Sequence, residues 1–451
     1  MSSHDDPEDP HDGGGPAHTI ESKPPVTRAG LIVPEARGHA TGHPLDARLD
    51  EFTGLARAID LDVVFAETLK LREIRPATYI GQGHLKALTE RIKQEEIDLL
   101  LVDAPISPIQ QRNLEKETGA KVLDRTALIL EIFGERAATR EGTLQVELAH
   151  LRYQKSRLVR SWTHLERQRG GFGSLGGPGE TQIESDRRLL QDRIRLLEER
   201  LEKVKQTRTQ QKGRRDAASL PVVAIVGYTN AGKSSIFNAL TGAGVFAKDL
   251  LFATLDTTIR KLELPHGREV MLSDTVGFVS DLPTDLVAAF RATLEEVVEA
   301  DVILHVRDVS NPDHPAQAQD VLKVLGDLGV AADKVPLIEV WNKVDLLVHD
   351  GSSLGAALPA GKTAAVVETS AVTGQGLDDL RLAIEAALAQ ESRVFRVRIP
   401  HSDGADVGWL YGHAEIIGRE DPDEEAQVYE VRVDPRHAAA FTNRFGDRLA
   451  S

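Results

Sequence analysis

The chain has 451 residues, 41% hydrophobic and 27% charged, with a formal net charge of −16 and no cysteine. Its length exceeds one ordinary core and predicts two to four domains, while the missing cysteines exclude disulfides, thiolate zinc sites and cysteine nucleophiles. The acidic balance excludes an all-over nucleic-acid coat, leaves DNA out as a partner, and no apolar run approaches the roughly 20 residues that cross a bilayer.

Residues 1–26 are rich in Pro, Gly, Asp and His and lack the basic start and apolar middle of a signal peptide. They read as a disordered tail, and the chain as cytoplasmic. Residues 27–140 alternate β-like runs (GLIVPEA, DVVFAET, DLLLVDA) with helical patterns (LDARLDEFTGLARAI, GQGHLKALTERIKQEE, SPIQQRNLEKETG). This predicts an N-terminal α/β domain on a small parallel sheet. Gly81-Gln82-Gly83 opens one helix without a Walker-type lysine, so an ATP site there is a weaker reading than plain helix-start glycines.

Over residues 141–216 the apolar period changes. Leu144, Leu148, Leu151, Lys155, Leu158, Trp162 and Leu165 follow a heptad seam with one polar break, which resumes at Leu190, Ile194, Leu197, Leu201 and Val204. Two such helices predict a long antiparallel helical hairpin, each arm roughly 35–50 Å. Its tip is the loop Gly170 to Glu180, with six glycines, flanked by Arg167, Arg169, Arg187 and Arg188. From Leu151 to Arg215 the chain carries a net +9, leaving −25 for the rest. A basic, Gly-rich arm in an acidic protein predicts a local polyanion contact, with Arg167, Arg169, Gly173, Gly177, Gly179, Arg187 and Arg188 as RNA-contact candidates. The competing reading is a structural coiled coil with a flexible turn.

Residues 219–392 alternate strands (IVG, KLELP, EVMLSD, DVILHVRD, PLIEVWNK, AAVVETS) with helices, and residues 393–451 hold VFRVRIP, AEIIG and VYEVRVD. The fold class expected is α/β multidomain, with a parallel sheet and flanking helices over residues 219–392, which the motifs that follow make a P-loop G domain, and a small C-terminal α+β domain added to the N-terminal domain and arm.

The chemistry concentrates in four motifs. Gly227-Tyr228-Thr229-Asn230-Ala231-Gly232-Lys233-Ser234, followed by Ser235, matches the phosphate-binding pattern G-x-x-x-x-G-K-[ST] between a strand and a helix. Its backbone N–H groups would wrap phosphates, Lys233 would neutralise the β- and γ-phosphates, and Ser234 would ligate Mg²⁺. Asp274-Thr275-Val276-Gly277 ends a strand. Asp274 would hold Mg²⁺ through water and the Gly277 amide would sense the γ-phosphate. In Asn342-Lys343-Val344-Asp345 the carboxylate can accept from guanine N1 and its exocyclic amine, donors that adenine lacks. Ser370-Ala371 follows, where a backbone N–H can meet guanine O6. Between the first two motifs, FATLDTT offers Thr254 as the threonine that would ligate Mg²⁺ in the triphosphate state, with Thr257 and Thr258 as alternatives. Lys233, Thr254 and Gly277 are the candidate catalytic set. The implied substrate is GTP.

Ras-like proteins place a water-orienting glutamine just after this DxxG motif; here Phe278 stands there, and a phenyl ring cannot polarise water. Slow intrinsic hydrolysis and dependence on a partner are expected.

These motifs, with LFATLDTT, SDTVGFVSDLP and above all GGPGETQIESDRR, resemble the HflX family of the TrmE–Era–Obg–HflX group over nearly all the chain beyond the tail. The family often carries an arginine ahead of the GPGE run, where this chain has Gly176-Gly177. The resemblance implies a GTPase whose GTP form binds the large ribosomal subunit and its rRNA, its arm reaching the peptidyl-transferase region, to rescue, split or recycle stalled ribosomes in a stress response. In the related TrmE proteins an asparagine at the position of Asn230 binds K⁺; here it either does so or shapes the loop. A monomer is the default. A GTP-gated regulator of a protein partner such as a membrane protease, with peripheral membrane association, stays open as the other class of reading.

Overall fold

The computed structural model describes residues 26–37, 42–168, 178–215, 220–242, 251–252, 257–280, 294–330, 335–347, 363–391, 393–420, 425–433 and 435–449. The expected tail (apart from Val26), Thr254, and Arg169, Gly173 and Gly177 of the arm tip lie outside these residues. Among the described residues no helix is long and apolar enough to cross a membrane.

Strands β1 (Arg28–Ala36), β2 (Asp62–Leu71), β3 (Leu99–Val102) and β4 (Lys121–Asp124) make a parallel sheet ordered β2-β1-β3-β4. β1 and β3 are near-continuous apolar runs because helices cover both faces, which removes the alternation of a half-exposed strand. Helices α1 (Leu45–Arg57) and α4 (Arg125–Arg136) take one face, α2 (Gln82–Gln94) and α3 (Pro108–Thr118) the other. The start of α3 is written locally: Ser107 and Gln110 form a capping box, Pro108 sits at the first position, and Gly119 closes the helix at φ +77°. β4 and α4 are additions to the predicted elements. No turn residue separates them, because Asp124 both ends the strand and caps the helix by accepting from Ala127 N–H at 2.8 Å.

The predicted hairpin forms from α5 (Arg140–Gln168) and α6 (Pro178–Arg215). Leu148, Leu151, Ile194 and Leu197 are its buried seam, with Leu144, Leu190 and Leu201 packed against them. The polar break has a reason: Lys155 donates across the seam to Gln191. Two features differ from expectation. α6 begins at Pro178 inside the stretch read as tip loop, since proline suits a first helical position, and its 38 residues span ~57 Å. α5 is also docked over its first half: Val146 and Ala149 join the N-terminal core, and Tyr153 and Arg157 both bond Asp124.

Strands β5 (Val222–Gly227), β6 (Thr258–Glu263), β7 (Glu269–Asp274), β8 (Val302–Asp308), β9 (Leu337–Asn342) and β10 (Thr363–Glu368) form the second sheet, ordered β10-β9-β8-β5-β7-β6, parallel except for β6. Helices α7 (Lys233–Thr241), α8 (Glu295–Val298), α9 (His314–Asp327) and α10 (Leu377–Glu391) flank it. The last unit is an antiparallel sheet β11 (Arg393–Pro400), β13 (Ala426–Val433), β12 (Glu415–Arg419), covered by α11 (Gly404–His413) and α12 (Pro435–Phe445).

Besides a core cluster of its own in each, the N-terminal and G segments share a third. Leu31, Phe52 and Phe133 belong to the same buried cluster as Tyr228, Phe252 and Phe278. Phe133 and Phe252 meet edge to face, centroids 4.6 Å apart at 79°.

Candidate nucleotide site

β5 ends at Gly227 and α7 begins at Lys233, so the motif's residues 228–232 make the turn from strand to helix. The turn depends on Gly232, which stands at φ +94° and where a Cβ would run into the Asn342 amide. Asn230 is exposed and left-handed at φ +59°, a conformation asparagine tolerates better than most residues. Ser235 continues into α7.

Lys233 is buried, and its ammonium donates to the Tyr228 carbonyl at 2.7 Å. Burial lowers its pKa to about 8, against the opposing pull of Asp274. A desolvated amine at the start of a helix is a site that an anion would complete. Ser234 Oγ donates to Asp274 Oδ2 at 2.7 Å, bringing a hydroxyl and a buried carboxylate together at the start of α7. Those hard oxygens fit Mg²⁺.

The segment after β7 lies directly on the P-loop. Thr229 N–H donates to Phe278 O at 2.7 Å and Phe278 N–H to Gly227 O at 3.2 Å, a short parallel bridge between the two motifs. Gly277 is thereby pressed so close that a Cβ would lie 2.8 Å from Thr229 Cγ2 and 3.0 Å from Lys233 Nζ. Thr275 bonds the Ile225 carbonyl through its hydroxyl at 2.6 Å and Val276 is buried, so both side chains hold the sheet. Phe278 is 1% exposed and points into the shared core.

At the base-binding end, Asn342 ties three motifs together. Its amide donates to Ala231 O at 2.9 Å, and its oxygen accepts from Ala371 N–H at 3.2 Å. Lys343 is left-handed at φ +66° and its ammonium pairs with Asp308 at 2.8 Å. Val344 is buried and Asp345 exposed, as a carboxylate open to a base should be. Ser370 is fixed by bonds to Gln375, Gly374 and Thr373. Trp341 packs beneath with Val309 and Val344.

The four motifs thus follow the C-terminal ends of β5, β7, β9 and β10, at one end of the sheet's parallel strands, while Thr254 lies outside the described residues. Thr258 starts β6. Of the arm candidates, Arg187 and Arg188 are exposed on α6, and Arg167 and Gly179 fall within α5 and α6.

Sequence reasoning missed what stands behind the site. The Tyr228 side chain turns away from the phosphate position and donates its hydroxyl to Glu51 of α1 at 2.9 Å. Burial, then the charge of Glu51, pushes that phenol far above its ordinary value. Arg125 of α4 reaches Ser280 and Glu51. His43 bridges Asp313 and Asp320 at 2.6 and 2.8 Å; the bond to Asp320 leads in raising its pKa to about 9. On β8, His305 is 1% exposed with neither ring nitrogen hydrogen-bonded among the described residues, and burial, helped by Arg307 and Lys233, lowers it to about 3. Helix residues such as Glu51 and Arg125 carry no motif that would have singled them out.

Four family models cover the chain: GTP-binding GTPase N-terminal (residues 46–134), GTP-binding GTPase Middle Region (136–215), 50S ribosome-binding GTPase (222–343) and HflX C-terminal domain (357–450). The chain is 50% identical to a GTPase HflX of Magnetococcus marinus over 82% of its length and 84% of the relative. It is 42% identical to the GTPase HflX of Escherichia coli over 84% and 88%. Among solved structures, a GTP-binding protein from Sulfolobus solfataricus in complex with GDP aligns over 81% of this chain and 99% of its own at 25% identity, with a TM-score of 0.42. With its motifs gathered at one end of the sheet's parallel strands and its relatives matched along most of their length, the chain belongs to the HflX family of P-loop GTPases.

Proposed function

We propose that this GTPase binds the large ribosomal subunit in its GTP form, with the helical arm against rRNA, and rescues, splits or recycles stalled ribosomes in the cytoplasm. The observation that carries the reading is the arm itself. A seam-packed hairpin holds Arg187 and Arg188 exposed beyond Leu190, in the one segment with a net +9.

In this reading the P-loop amides and Lys233 bind the phosphates, the Gly277 amide meets the γ-phosphate, and Asp345 and Ala371 read guanine. Ser234 and Thr254, with Asp274 through water, would hold Mg²⁺, and the ion would supply charge neutralisation for the phosphates. Asn230 either offers K⁺ an oxygen or shapes the loop at its left-handed position. With Phe278 buried, no side chain at that position orients water, so hydrolysis waits on the partner.

Co-sedimentation with purified large subunits tests this. Binding with a non-hydrolysable GTP analogue and not with GDP is expected; no binding in either state, with nucleotide loading verified, overturns it. Replacing Arg187 and Arg188 by alanine should reduce the slope of log affinity against log salt by roughly 0.7–0.9 for each phosphate no longer neutralised.

A further inference from the structure

Ser280 lies three residues beyond Gly277, and the N-terminal domain engages each of its polar atoms or their partner. Arg125 Nε and Nη2 donate to its carbonyl at 3.2 and 3.1 Å, and Nη2 donates to Oγ at 2.9 Å. Ser280 Oγ donates to Glu51 Oε2 at 3.0 Å, and its N–H donates to the Tyr228 hydroxyl at 2.7 Å. That hydroxyl donates in turn to Glu51 Oε1, which also accepts from Arg125 at 2.7 Å. Behind this ring, Arg125 and Arg48 share Asp103 at 2.8 and 2.6 Å. Two arginines and two carboxylates cancel, so the buried cluster is complete without any ligand. Tyr228 belongs to the P-loop and Ser280 to the segment carrying Gly277. The ring therefore clamps those two segments on either side of the Thr229–Phe278 bridge.

We propose that Glu51 and Arg125 are positioning residues for GTP hydrolysis: by holding Ser280 and the Tyr228 hydroxyl they keep Gly277 against the P-loop beside Lys233, so that a γ-phosphate meets an amide already in place. The clamp favours the triphosphate over the diphosphate. By linkage, GTP binding then favours the clamped arrangement of the N-terminal domain and its arm. The inference rests on the assignment of Lys233 and Gly277 to the phosphate site.

The test compares full-length wild type with Arg125→Met, Ser280→Ala and Tyr228→Phe, measuring affinities for fluorescent GDP and a fluorescent non-hydrolysable GTP analogue. The analogue should weaken by a larger factor than GDP in every variant, the difference falling within the roughly 5- to 150-fold range of such couplings. Single-turnover hydrolysis at saturating GTP should slow in the same order as the analogue weakens. Arg125→Met leaves Glu51 and Asp103 short of a partner; if it fails to fold, Ser280→Ala and Tyr228→Phe, each losing one hydroxyl, carry the test. Equal weakening of both nucleotides, a selective loss of GDP, or no change in either overturns the proposal. Lys233→Met is the separate control. If it binds both nucleotides like wild type, the phosphate-site assignment fails instead.

Discussion

The phosphate cradle and the junction behind it act on the same two segments and are built in opposite ways. The cradle consists of backbone amides and a few polar side chains from short contiguous runs, and it is open to a ligand at one end of the sheet's parallel strands. The junction is closed and charge-balanced, made from Arg48, Glu51, Asp103 and Arg125 together with Tyr228 and Ser280, with bonded partners as far as 229 positions apart. Ligand chemistry recurs with fixed spacing because every nucleotide presents the same phosphates and base. Coupling between domains needs only that two particular surfaces fit, and leaves no spacing to read.

The sharpest way to break the cradle without touching the junction is Asp345→Ala. Losing two hydrogen bonds to a charged acceptor should cost guanine binding about 3–6 kcal/mol, and competition with ATP during GDP binding reads the lost preference. Unchanged discrimination would remove Asp345 from the base site.

Phe133→Ala strikes the junction in turn. It removes a ring that meets Phe252 across the shared core, and should cost about 3–5 kcal/mol in chemical denaturation. A single cooperative transition in wild type that separates into two in the variant would show the common core to be what joins the domains. A variant as stable as wild type would deny it.

Acid should reach the sheet under the cradle next. His305 has its pKa lowered to about 3 in the folded chain, below its unfolded 6.5, so the unfolded chain takes the proton first. The stability from burying it neutral is present above pH 6.5 and is lost as pH falls. Between pH 7 and 5 wild type should lose about 2 kcal/mol more than His305→Leu. Parallel pH profiles would contradict this.

The smallest effect sharpens the cradle itself. With its pKa lowered to about 8, Lys233 is largely neutral at pH 8.5 in the free chain, and a bound phosphate restores its charge. GDP binding at pH 8.5 should therefore take up a fraction of a proton, declining toward pH 7, as calorimetry in buffers of different ionisation enthalpy would read. Proton release would contradict it.

Much of the fold was legible because periodicity is a physical requirement. The seam from Leu144 to Leu201 had to recur every three or four residues to stay on one face, and β1, β3, β5 and β8 had to be largely apolar to lie under helices on both sides. β4 and α4 escaped because Asp124 serves both elements and no glycine or proline marks the change. Proline at 178 looked like loop punctuation and proved to be a helix start, a position where its missing N–H costs nothing. In the site, the motif residues were all readable, but not which way each side chain turns. Asn342 reads as part of a base-recognition motif, yet its amide joins the P-loop to the Ala371 turn. Tyr228 reads as a phosphate-loop residue and faces another domain.

In the chain the arm lies between the N-terminal and G segments: its first helix is fastened to the N-terminal domain at Asp124, and its second precedes in sequence the strand that ends at the P-loop. A hairpin held at one helix by the N-terminal domain and continued in sequence from the other toward the G domain would act as a mechanical lever between them. With a rod of ~57 Å, a tilt of about 5° displaces the far end by about 5 Å. A shift too small to disturb the nucleotide becomes, at the tip, a displacement about the diameter of a nucleobase.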